Sequence, residues 1–557
     1  MVIKSNEAMG LSQPPKSMWM QTLPQVLAVS VKNILLLAFG MTLGFPTILI
    51  PGLLAPEETF TMTPEEISWI GSVNLICVPI GSIVSGAVSQ AIGRKRAMQV
   101  VNLPFLAAWL LFRFCNAEWQ VFVALAMTGL SGGFLEAPVL TYVAEITQPR
   151  LRGVLSSTSS MAVIAGVLIM FLLGTFFPWR TVALVSCVFN VMSFTFLFFV
   201  PESPHWLISN NRLLDARKSL AWLRGWTDLD EIEPEYKQIY REVRVNDDDL
   251  AQDNPAFDGV SNGVTLNGNN QHRQPKRHAK KNSRLETLKL FTRKSFLWPF
   301  SLVAIIFFFN HVTGMTTLQT YAVPLFQSVN APIDRYYATV MLGCVELLGS
   351  IASTALVHYT GKRLLNFVSV LGIGVCFTIV AIYAQINALV DVTNSTTPNL
   401  QLVKNSPHNW IPMTFLIGVA FMAHLGVRIL PWILTGEVFS NETRAAAAGL
   451  CSAFTYIVSF ATNKAFFAIV GVLTLPGTFF THAALSVVAF LVLYFFLPET
   501  EGKTLGQINE HFAGGTKMGD KVYRDRGDRK SDFHMQHNPG NINSAYNGGD
   551  NSNESKF

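Results

Sequence analysis

The chain has little charge and lacks the cysteine patterns of a metal or disulfide site. Only 14% of its 557 residues are Asp, Glu, Lys or Arg, whereas a soluble domain carries about 25%. Its six cysteines form no Cys-x-x-Cys pair and lie in or beside apolar runs, so we expect buried, small apolar side chains with no disulfide and no metal ligand among them. The sequence shows no nucleotide-binding loop and no arrangement of nucleophile and base. We therefore expect a protein that is not an enzyme and has no cofactor and no metal.

Apolar residues, by contrast, are abundant and clustered. Half of the chain is hydrophobic and the mean hydropathy is +0.34. Uncharged runs such as 364–390 and 483–498 are close to or above the ~20 residues that cross ~30 Å of hydrocarbon. The pattern predicts an all-α membrane protein, in contact with the lipid bilayer, with about twelve transmembrane helices. The predicted spans are 28–52, 67–90, 97–115, 119–142, 154–175, 180–200, 297–327, 336–358, 364–388, 410–436, 446–472 and 476–497.

The spans divide the chain into five segments. We predict an N-terminal segment 1–27, a six-helix bundle 28–200, a linker 201–296, a second six-helix bundle 297–497 and a tail 498–557. The linker is expected to be helical at first and disordered over 247–273. Basic residues cluster between spans, for example at 94–96 and 362–363. This distribution does not favour nucleic-acid binding, and it places the linker and both termini in the cytoplasm.

The sequence also indicates whether a signal peptide and glycosylation sequons are present. No cleavable signal peptide is expected, because the polar stretch 1–22 precedes a span too long for a signal peptide. The loop 389–409 falls on the external side, and it contains the sequon Asn394-Ser395-Thr396, so Asn394 is the predicted glycosylation site.

Three landmarks recur in the same order in both bundles. Gly93-Arg94-Lys95 follows span two, and Gly361-Lys362-Arg363 follows span eight. Glu145 precedes Arg152 by the same seven positions by which Glu437 precedes Arg444. Pro201-Glu202-Ser203 ends span six, and Pro498-Glu499-Thr500 ends span twelve. The repeat predicts two pseudo-symmetric bundles, the architecture of an alternating-access transporter.

The motifs around these landmarks resemble those of the sugar porters of the major facilitator superfamily. They are ITQPRLRG after Glu145, PESPHWL at 201–207 and PETEGKTLGQI at 498–508. SWIGS at 68–72 and LDARKSLAWLRG at 214–225 are similar to the insect trehalose-transporter branch. The resemblance covers the chain from span one to about residue 510. It implies a plasma-membrane carrier that moves a sugar, hexose or trehalose, by facilitated diffusion.

The resemblance also implies a gate. In sugar porters, Glu and Arg side chains at the cytoplasmic helix ends form salt bridges that close the inner gate and break as it opens. An alternative is that these charges only fix the topology. The residues carried over to the gate are Arg94, Lys95, Glu145, Arg152, Glu202, Glu437, Arg444 and Glu499.

The substrate region departs from the family. Sugar porters carry an amide-rich run in span seven, where this chain has Asn310-His311-Val312-Thr313-Gly314-Met315-Thr316, and they usually have Gln where this chain has Ser160. An acid normally found before each Gly-Arg-Lys motif is replaced by Gln90 and His358. Charges occur within the spans instead. The candidate substrate-binding residues are Glu136, Ser160, Asn310, His311, Thr313, Thr316, Glu346, His424, Arg428 and Trp432.

Three interpretations of these buried charges remain open. Glu136 and Arg428, which lie at equivalent depth in the repeat, could form a structural pair. The charges could instead bind a charged or zwitterionic solute, with His424 one helical turn before Arg428 and on the same face. Glu136, Glu346, His311 or His424 could couple transport to protons. The functional alternatives to a sugar carrier are therefore a charged-solute or proton-coupled carrier, and a non-transporting sensor or interaction protein.

Overall fold

The computed structural model describes residues 18–55, 58, 62–252, 291–387, 408–439, 443–503 and 505–512. Regular secondary structure within these ranges is helical, and they contain no strand. In the part of the chain that the structure describes, eleven helices are long and apolar enough to cross a bilayer. Large apolar side chains such as Ile83 and Phe495 are 77% and 75% exposed, a surface that suits hydrocarbon rather than water. The predicted all-α membrane fold is confirmed.

The first half of the chain supplies six spans. Its helices are α1 (Met18–Leu53), α2 (Pro64–Ile70), α3 (Val73–Ile92), α4 (Arg94–Phe114), α5 (Glu118–Ile146), α6 (Pro149–Phe176) and α7 (Trp179–Phe196). Helix α1 packs along α6, and α3 packs along α5. The contacts are close because glycines face the neighbouring backbone: a Cβ on Gly40 would lie 2.0 Å from the carbonyl oxygen of Val163.

The linker adds three helices, α8 (Pro204–Ser209), α9 (Leu213–Leu223) and α10 (Glu233–Gln252). They pack on one another through apolar residues that include Trp206, Leu220 and Tyr236. Since α10 continues to Gln252, the first residues of the stretch predicted to be disordered are helical instead. Residues 247–252 contain neither Gly nor Pro, so the residues that most disfavour a helix are absent there. Residues 253–273 of that stretch lie outside the described ranges.

The second half supplies the remaining spans and a short tail helix. Its helices are α11 (Lys294–Val312), α12 (Met315–Thr320), α13 (Ala322–Ser328), α14 (Arg335–Thr360), α15 (Lys362–Ile386), α16 (Trp410–Leu425), α17 (Leu430–Glu437), α18 (Arg444–Phe496) and α19 (Leu505–Phe512). Two predicted spans are interrupted. Span seven breaks after Val312, and span ten breaks between Leu425 and Leu430.

Helix α18 contains two spans in one continuous run. A straight helix of 53 residues would be about 80 Å long. Its two ends nevertheless lie close together, because Lys362 contacts both Glu437 before α18 and Glu501 after it. The chain reverses at Thr474, whose φ of 63° and ψ of 170° are not helical. Counting α18 twice gives the twelve predicted crossings.

Hydrogen bonds join the two halves near one end of the bundle. We call the end that carries the start of α1, the linker helices and α19 the linker side, and the other end the opposite side. Near the opposite side, Thr47 donates to the carbonyl oxygen of Gln319 (2.8 Å), Ser68 to that of Lys464 (3.3 Å), and Asn463 to that of Gly71 (2.9 Å). We call these three contacts the seam. A further hydrogen bond between the halves joins Ser452 to Glu136.

The cysteines behave partly as predicted. All six are free, and four of them, Cys115, Cys187, Cys376 and Cys451, are buried. Cys77 is half-buried and Cys344 is exposed on α14. The expectation of buried side chains is therefore wrong for Cys344, because it lies on the outward face of a span rather than against a neighbouring helix.

Candidate functional site

The landmarks of the first half meet at the linker side, around Arg94. Its guanidinium forms two parallel hydrogen bonds with the Glu145 carboxylate, at 3.0 Å from Nε and 2.9 Å from Nη2. Ser203 also donates to Glu145. Glu202 accepts from the backbone N–H groups of Arg94 and Lys95, where the start of α4 leaves donors unsatisfied. We call Arg94, Glu145, Glu202 and Ser203 the N latch, because together they join α4 and α5 to the linker.

The landmarks of the second half form the equivalent cluster. The Lys362 ammonium lies 2.7 Å from Glu437 Oε1 and 2.9 Å from Glu501 Oε2. Glu499 accepts from the backbone N–H groups of Lys362 and Arg363, and Thr500 donates to Glu437 (3.0 Å). We call Lys362, Glu437, Glu499, Thr500 and Glu501 the C latch. The roles of Lys362 and Glu501 were not predicted, although the repeated Gly361-Lys362-Arg363 motif pointed to Lys362.

His358 extends the C latch to the surface. Its Nδ1 atom lies 2.8 Å from Glu501 Oε1, and its side chain is 72% exposed. Burial by itself would raise the pKa of the Glu501 carboxyl, but the neighbouring Lys362 and His358 outweigh burial and hold that pKa below its ordinary value. His358 replaces the acid usually found at this position, and it contacts the C latch through Glu501, which comes from the segment after α18.

Each latch lies within one half. Arg152 and Arg444, also predicted as gate residues, donate instead to the main-chain oxygens of Thr147 (3.4 Å) and Phe439 (3.1 Å). Neither arginine has an ion-pair partner within the described ranges. The predicted gate residues thus separate into two local clusters, two arginines without an ion pair in the described ranges, and Lys95, whose ammonium donates to the carbonyl oxygen of Phe198 (3.1 Å).

A second group of polar residues lies in the middle of the spans. Arg428, in the break between α16 and α17, donates from Nη2 to Gln319 Oε1 (3.0 Å) and from Nη1 to Thr316 Oγ1 (3.1 Å). Gln319 Nε2 in turn donates to Glu346 Oε2 at 2.9 Å. The three side chains from α12, α14 and the break form a line in which a neutral carboxamide joins an acid and a base. We call Arg428, Gln319 and Glu346 the central bridge.

The imidazole of His311 is held on both sides. Its Nδ1 lies 2.7 Å from Thr316 Oγ1, and its Nε2 lies 2.7 Å from Thr455 Oγ1 on α18. Thr316 also accepts from Arg428, and either neutral tautomer of the ring satisfies both contacts, because each threonine hydroxyl can donate or accept. His311 is 7% exposed and connects helices instead of presenting a nitrogen to a solute.

The other intramembrane acid lies apart from the central bridge. Glu136 accepts from Ser82 on α3 (3.3 Å) and from Ser452 on α18. No ion pair joins Glu136 to Arg428 among the described residues. The structural pair, one of the three interpretations left open by the sequence, is therefore not formed in this conformation. Arg428 is directed towards Thr316 and Gln319 on α12, whereas Glu136 is directed towards α3 and α18.

The sequence comparison decides the family. Residues 54–512 match the family described as "Sugar (and other) transporter". The chain belongs to the sugar transporter family. It is a transmembrane carrier of the sugar-porter type rather than an enzyme, and the resemblance drawn from its motifs is confirmed.

Curated relatives and solved structures agree. The chain is 25% identical to the facilitated trehalose transporter Tret1 of Polypedilum vanderplanki, over 85% of this chain and 86% of the relative. It is 27% identical to the same transporter of Apis mellifera ligustica, over 82% and 81%. The inward-open structure of the xylose transporter XylE from E. coli matches with a TM-score of 0.63 at 16% identity, covering 86% of this chain and 98% of that one. The structural likeness shows the major facilitator fold.

Two of the remaining candidate residues, His424 and Thr313, make hydrogen bonds to main-chain oxygens of the protein itself. His424 is 1% exposed and its Nδ1 lies 3.0 Å from the carbonyl oxygen of Ala420. The prediction that His424 and Arg428 share a helical face is wrong, because α16 ends at Leu425. Thr313 donates to the carbonyl oxygen of Phe309 within its own turn.

Three candidates keep surface or hydrogen-bonding capacity for a solute. Trp432 is 38% exposed and packs edge-on against Phe307, with ring centroids 4.9 Å apart. Ser160 is half-buried on α6. Asn310 is buried, and its Oδ1 finds no donor in the part of the chain that the structure describes. The predicted glycosylation site Asn394 lies outside the described residues, and those residues contain no group of three potential metal ligands.

Proposed function

We propose that the chain carries a neutral sugar, a hexose or trehalose, across the plasma membrane by facilitated diffusion. The observation that supports a neutral solute is the central bridge. Arg428 and Glu346 are joined by a carboxamide, so the bridge as a whole has no net charge. It presents an acceptor and a donor side by side, which complements neighbouring hydroxyl groups. In this proposal the central bridge forms the hydrogen bonds to sugar hydroxyls that amide side chains form in other sugar porters.

The relatives support the sugar class independently. The curated relatives are named facilitated trehalose transporters, and one solved structure with a TM-score of 0.62 holds a bromodeoxyglucose. Trp432 supplies an exposed aromatic face of the kind that stacks against sugar rings. We place Trp432, Arg428, Glu346, Asn310 and Ser160 in the solute site. Thr316 and His311 orient Arg428, whereas Thr313 and His424 support the helices.

The proposed transport cycle uses the two sides of the bundle. We infer that the linker side and both termini are cytoplasmic, since the basic clusters lie there. We infer that this conformation, with the seam closed, is open to the cytoplasm. We infer further that Arg152 and Arg444 pair with latch acids of the other half when the linker side closes. Partly buried charges favour discrete paired states, because leaving them unpaired is costly.

Uptake of labelled solutes tests the function. The measurement compares glucose, trehalose and organic cations, anions and zwitterions at two pH values, in cells with low background and with surface delivery verified. Saturable sugar uptake that does not depend on pH supports the proposal. Uptake of a charged solute alone, or no uptake by protein at the surface, refutes it and favours respectively the charged-solute carrier or the sensor.

One observation favours a second candidate, a carrier coupled to protons or to a cation. Glu136 accepts hydrogen bonds from two serine hydroxyls. Glu346, by contrast, accepts from the carboxamide of Gln319, which also contacts Arg428. A buried carboxylate without a cation is costly, so it would take up a proton or a cation. Sugar uptake that rises with an inward proton gradient and loses that dependence in Glu136→Gln would establish this candidate.

The gate has its own test. A single cysteine replaces Ser160 in a background that lacks reactive cysteines, and a membrane-impermeant thiol reagent is applied from either side. Neutralising Arg152 and Arg444 should increase labelling from the cytoplasmic side, because the closed state loses its ion pairs. Unchanged labelling in well-expressed variants would refute the gate role.

A further inference from the structure

Gln319 occupies a position that no motif singled out, yet three contacts converge on it. Its side chain accepts from Arg428 and donates to Glu346. Its main-chain oxygen accepts from Thr47 on α1, in the other half of the protein. One residue of the short helix α12 is therefore part of both the central bridge and the seam.

The carboxamide has a physical consequence for the two charges. Opposite charges in a medium of low dielectric constant attract strongly and tend to form a direct pair. A direct pair would use the donors of Arg428 and the acceptors of Glu346 on each other. With Gln319 between them, Glu346 keeps one oxygen, Oε1, that is buried and has no donor among the described residues. A buried carboxylate oxygen without a donor is rare in folded proteins and is suited to a hydroxyl group supplied by a ligand or water.

The position of Gln319 is fixed from outside the bridge. Thr47 holds its main chain, and the next two residues are held by Asn463, which donates to Thr320 (2.9 Å) and accepts from Tyr321 (3.1 Å). Asn463 also donates to the carbonyl oxygen of Gly71 in the first half. Closure of the seam therefore determines where the carboxamide lies.

We propose that Gln319 is the positioning residue of the solute site, which holds Arg428 and Glu346 close enough to act together and too far apart to neutralise each other directly. The proposal rests on the proposed function, in that the groups so held bind the hydroxyls of a neutral sugar. Because the seam holds Gln319, the solute-binding geometry depends on the seam being closed. When the seam opens, Gln319 loses the Thr47 contact and the bridge loosens.

A double-mutant cycle tests the proposal. Gln319→Leu removes both side-chain hydrogen bonds at similar volume, and Arg428 and Glu346 should then pair directly. We expect KM for the transported sugar to rise about tenfold or more, the equivalent of losing one hydrogen bond to a charged partner, with a much smaller change in kcat. Adding Glu346→Gln removes the attraction, so the double variant should have a lower KM than Gln319→Leu alone. A residue that merely stabilised the fold would give additive losses.

Two further measurements separate the possible failures. Gln99→Leu makes the same replacement on α4, at a half-buried position outside the bridge, and should leave KM unchanged. Thermal unfolding of the four proteins of the cycle needs no transport, and the bridge predicts non-additive shifts. Sugar uptake by the wild type with an unchanged KM in Gln319→Leu overturns the positioning role alone. If the wild type moves no sugar, the proposed function fails, and additive thermal shifts would then overturn the bridge as well.

Discussion

The N latch and the C latch have the same framework and different chemistry. In each latch, an acid that follows the last span of its half, Glu202 or Glu499, accepts from the first backbone N–H groups of α4 or α15. A second acid, Glu145 or Glu437, pairs with the side chain of Arg94 or Lys362. The N latch uses the planar fork of Arg94 on a single carboxylate. The C latch uses a compact ammonium that collects Glu437, Glu501 and Thr500.

The difference follows from the shapes of the two cations. A guanidinium matches one carboxylate with two parallel bonds, whereas an ammonium is a point charge with three donors in different directions. Lys362 is therefore suited to a further acid, and Glu501 stands where the N latch has Pro204. The comparison teaches that duplicated halves can diverge at their charged centres while the backbone framework stays the same.

Removing the arginine should give the largest effect. Arg94→Gln leaves Glu145, which is 17% exposed, with hydroxyl and amide partners in place of its cation. Breaking a buried pair by removing one member costs about 3–5 kcal/mol, and we expect a loss of this size in the thermal or denaturant unfolding of purified protein. Arg96→Gln, at an exposed neighbouring position, is the control and should change stability by less than about 0.5 kcal/mol. Equal losses would contradict the importance of the fork.

Exchanging the cations tests the comparison directly. Arg94→Lys should cost about 1.5–3 kcal/mol, because one hydrogen bond of the fork to a charged partner is lost. Lys362→Arg should cost less, since Glu437 and Glu501 both remain within reach of a guanidinium. The unfolding midpoints of the two single variants decide the order. The reverse order would show that space, and not hydrogen-bond geometry, determines which cation each latch accepts.

The glycine before α4 offers a test of the shared framework. Gly93 has a φ of +100°, and a Cβ there would lie 2.4 Å from Glu202 Oε2. Gly93→Ala should therefore cost about 1–3 kcal/mol through backbone strain and should displace the carboxylate that caps α4. Gly86→Ala is a matched control on α3 where a Cβ would meet no atom within 4 Å. Unfolding experiments should find it neutral or slightly stabilising, because alanine favours helix more than glycine.

The smallest effect concerns pH and is specific to the C latch. The pKa of Glu501 is lowered from its ordinary value of 4.5, so its contribution to stability is present above that value and is lost as pH falls through the lower folded-state pKa. Glu501→Gln should be less stable at neutral pH and should lose less stability on acidification. Unfolding midpoints measured from pH 7 to pH 3 would show two parallel curves if Glu501 had no such role.

The sequence was sufficient for properties that depend on position along the chain. Hydropathy predicted the twelve crossings, and the repeated spacing of Glu145 and Glu437 predicted where the latch acids would lie. Both are properties of height along a helix, which rises 1.5 Å per residue. The halves share this periodicity, so the repeat gives height reliably.

Direction around a helix was harder to predict. The pairing of Glu136 with Arg428 and the shared face of His424 and Arg428 both assumed a continuous span ten, and the break after Leu425 changes the direction of every later side chain. Gln319 escaped notice because its partners Glu346 and Arg428 lie 27 and 109 positions away. Contacts of that separation have no local pattern in a single sequence.

The reversal at Thr474 has a consequence for biosynthesis. Residues at the turn are apolar and exposed, with Val472 81% and Leu473 44% accessible, so no hydrophilic loop must be carried through hydrocarbon when this pair of spans enters the bilayer. Charged residues cost about 2.5–3.5 kcal/mol each at the centre of a membrane during insertion, and this turn has none. The last two spans can therefore leave the translocon together as a helical hairpin.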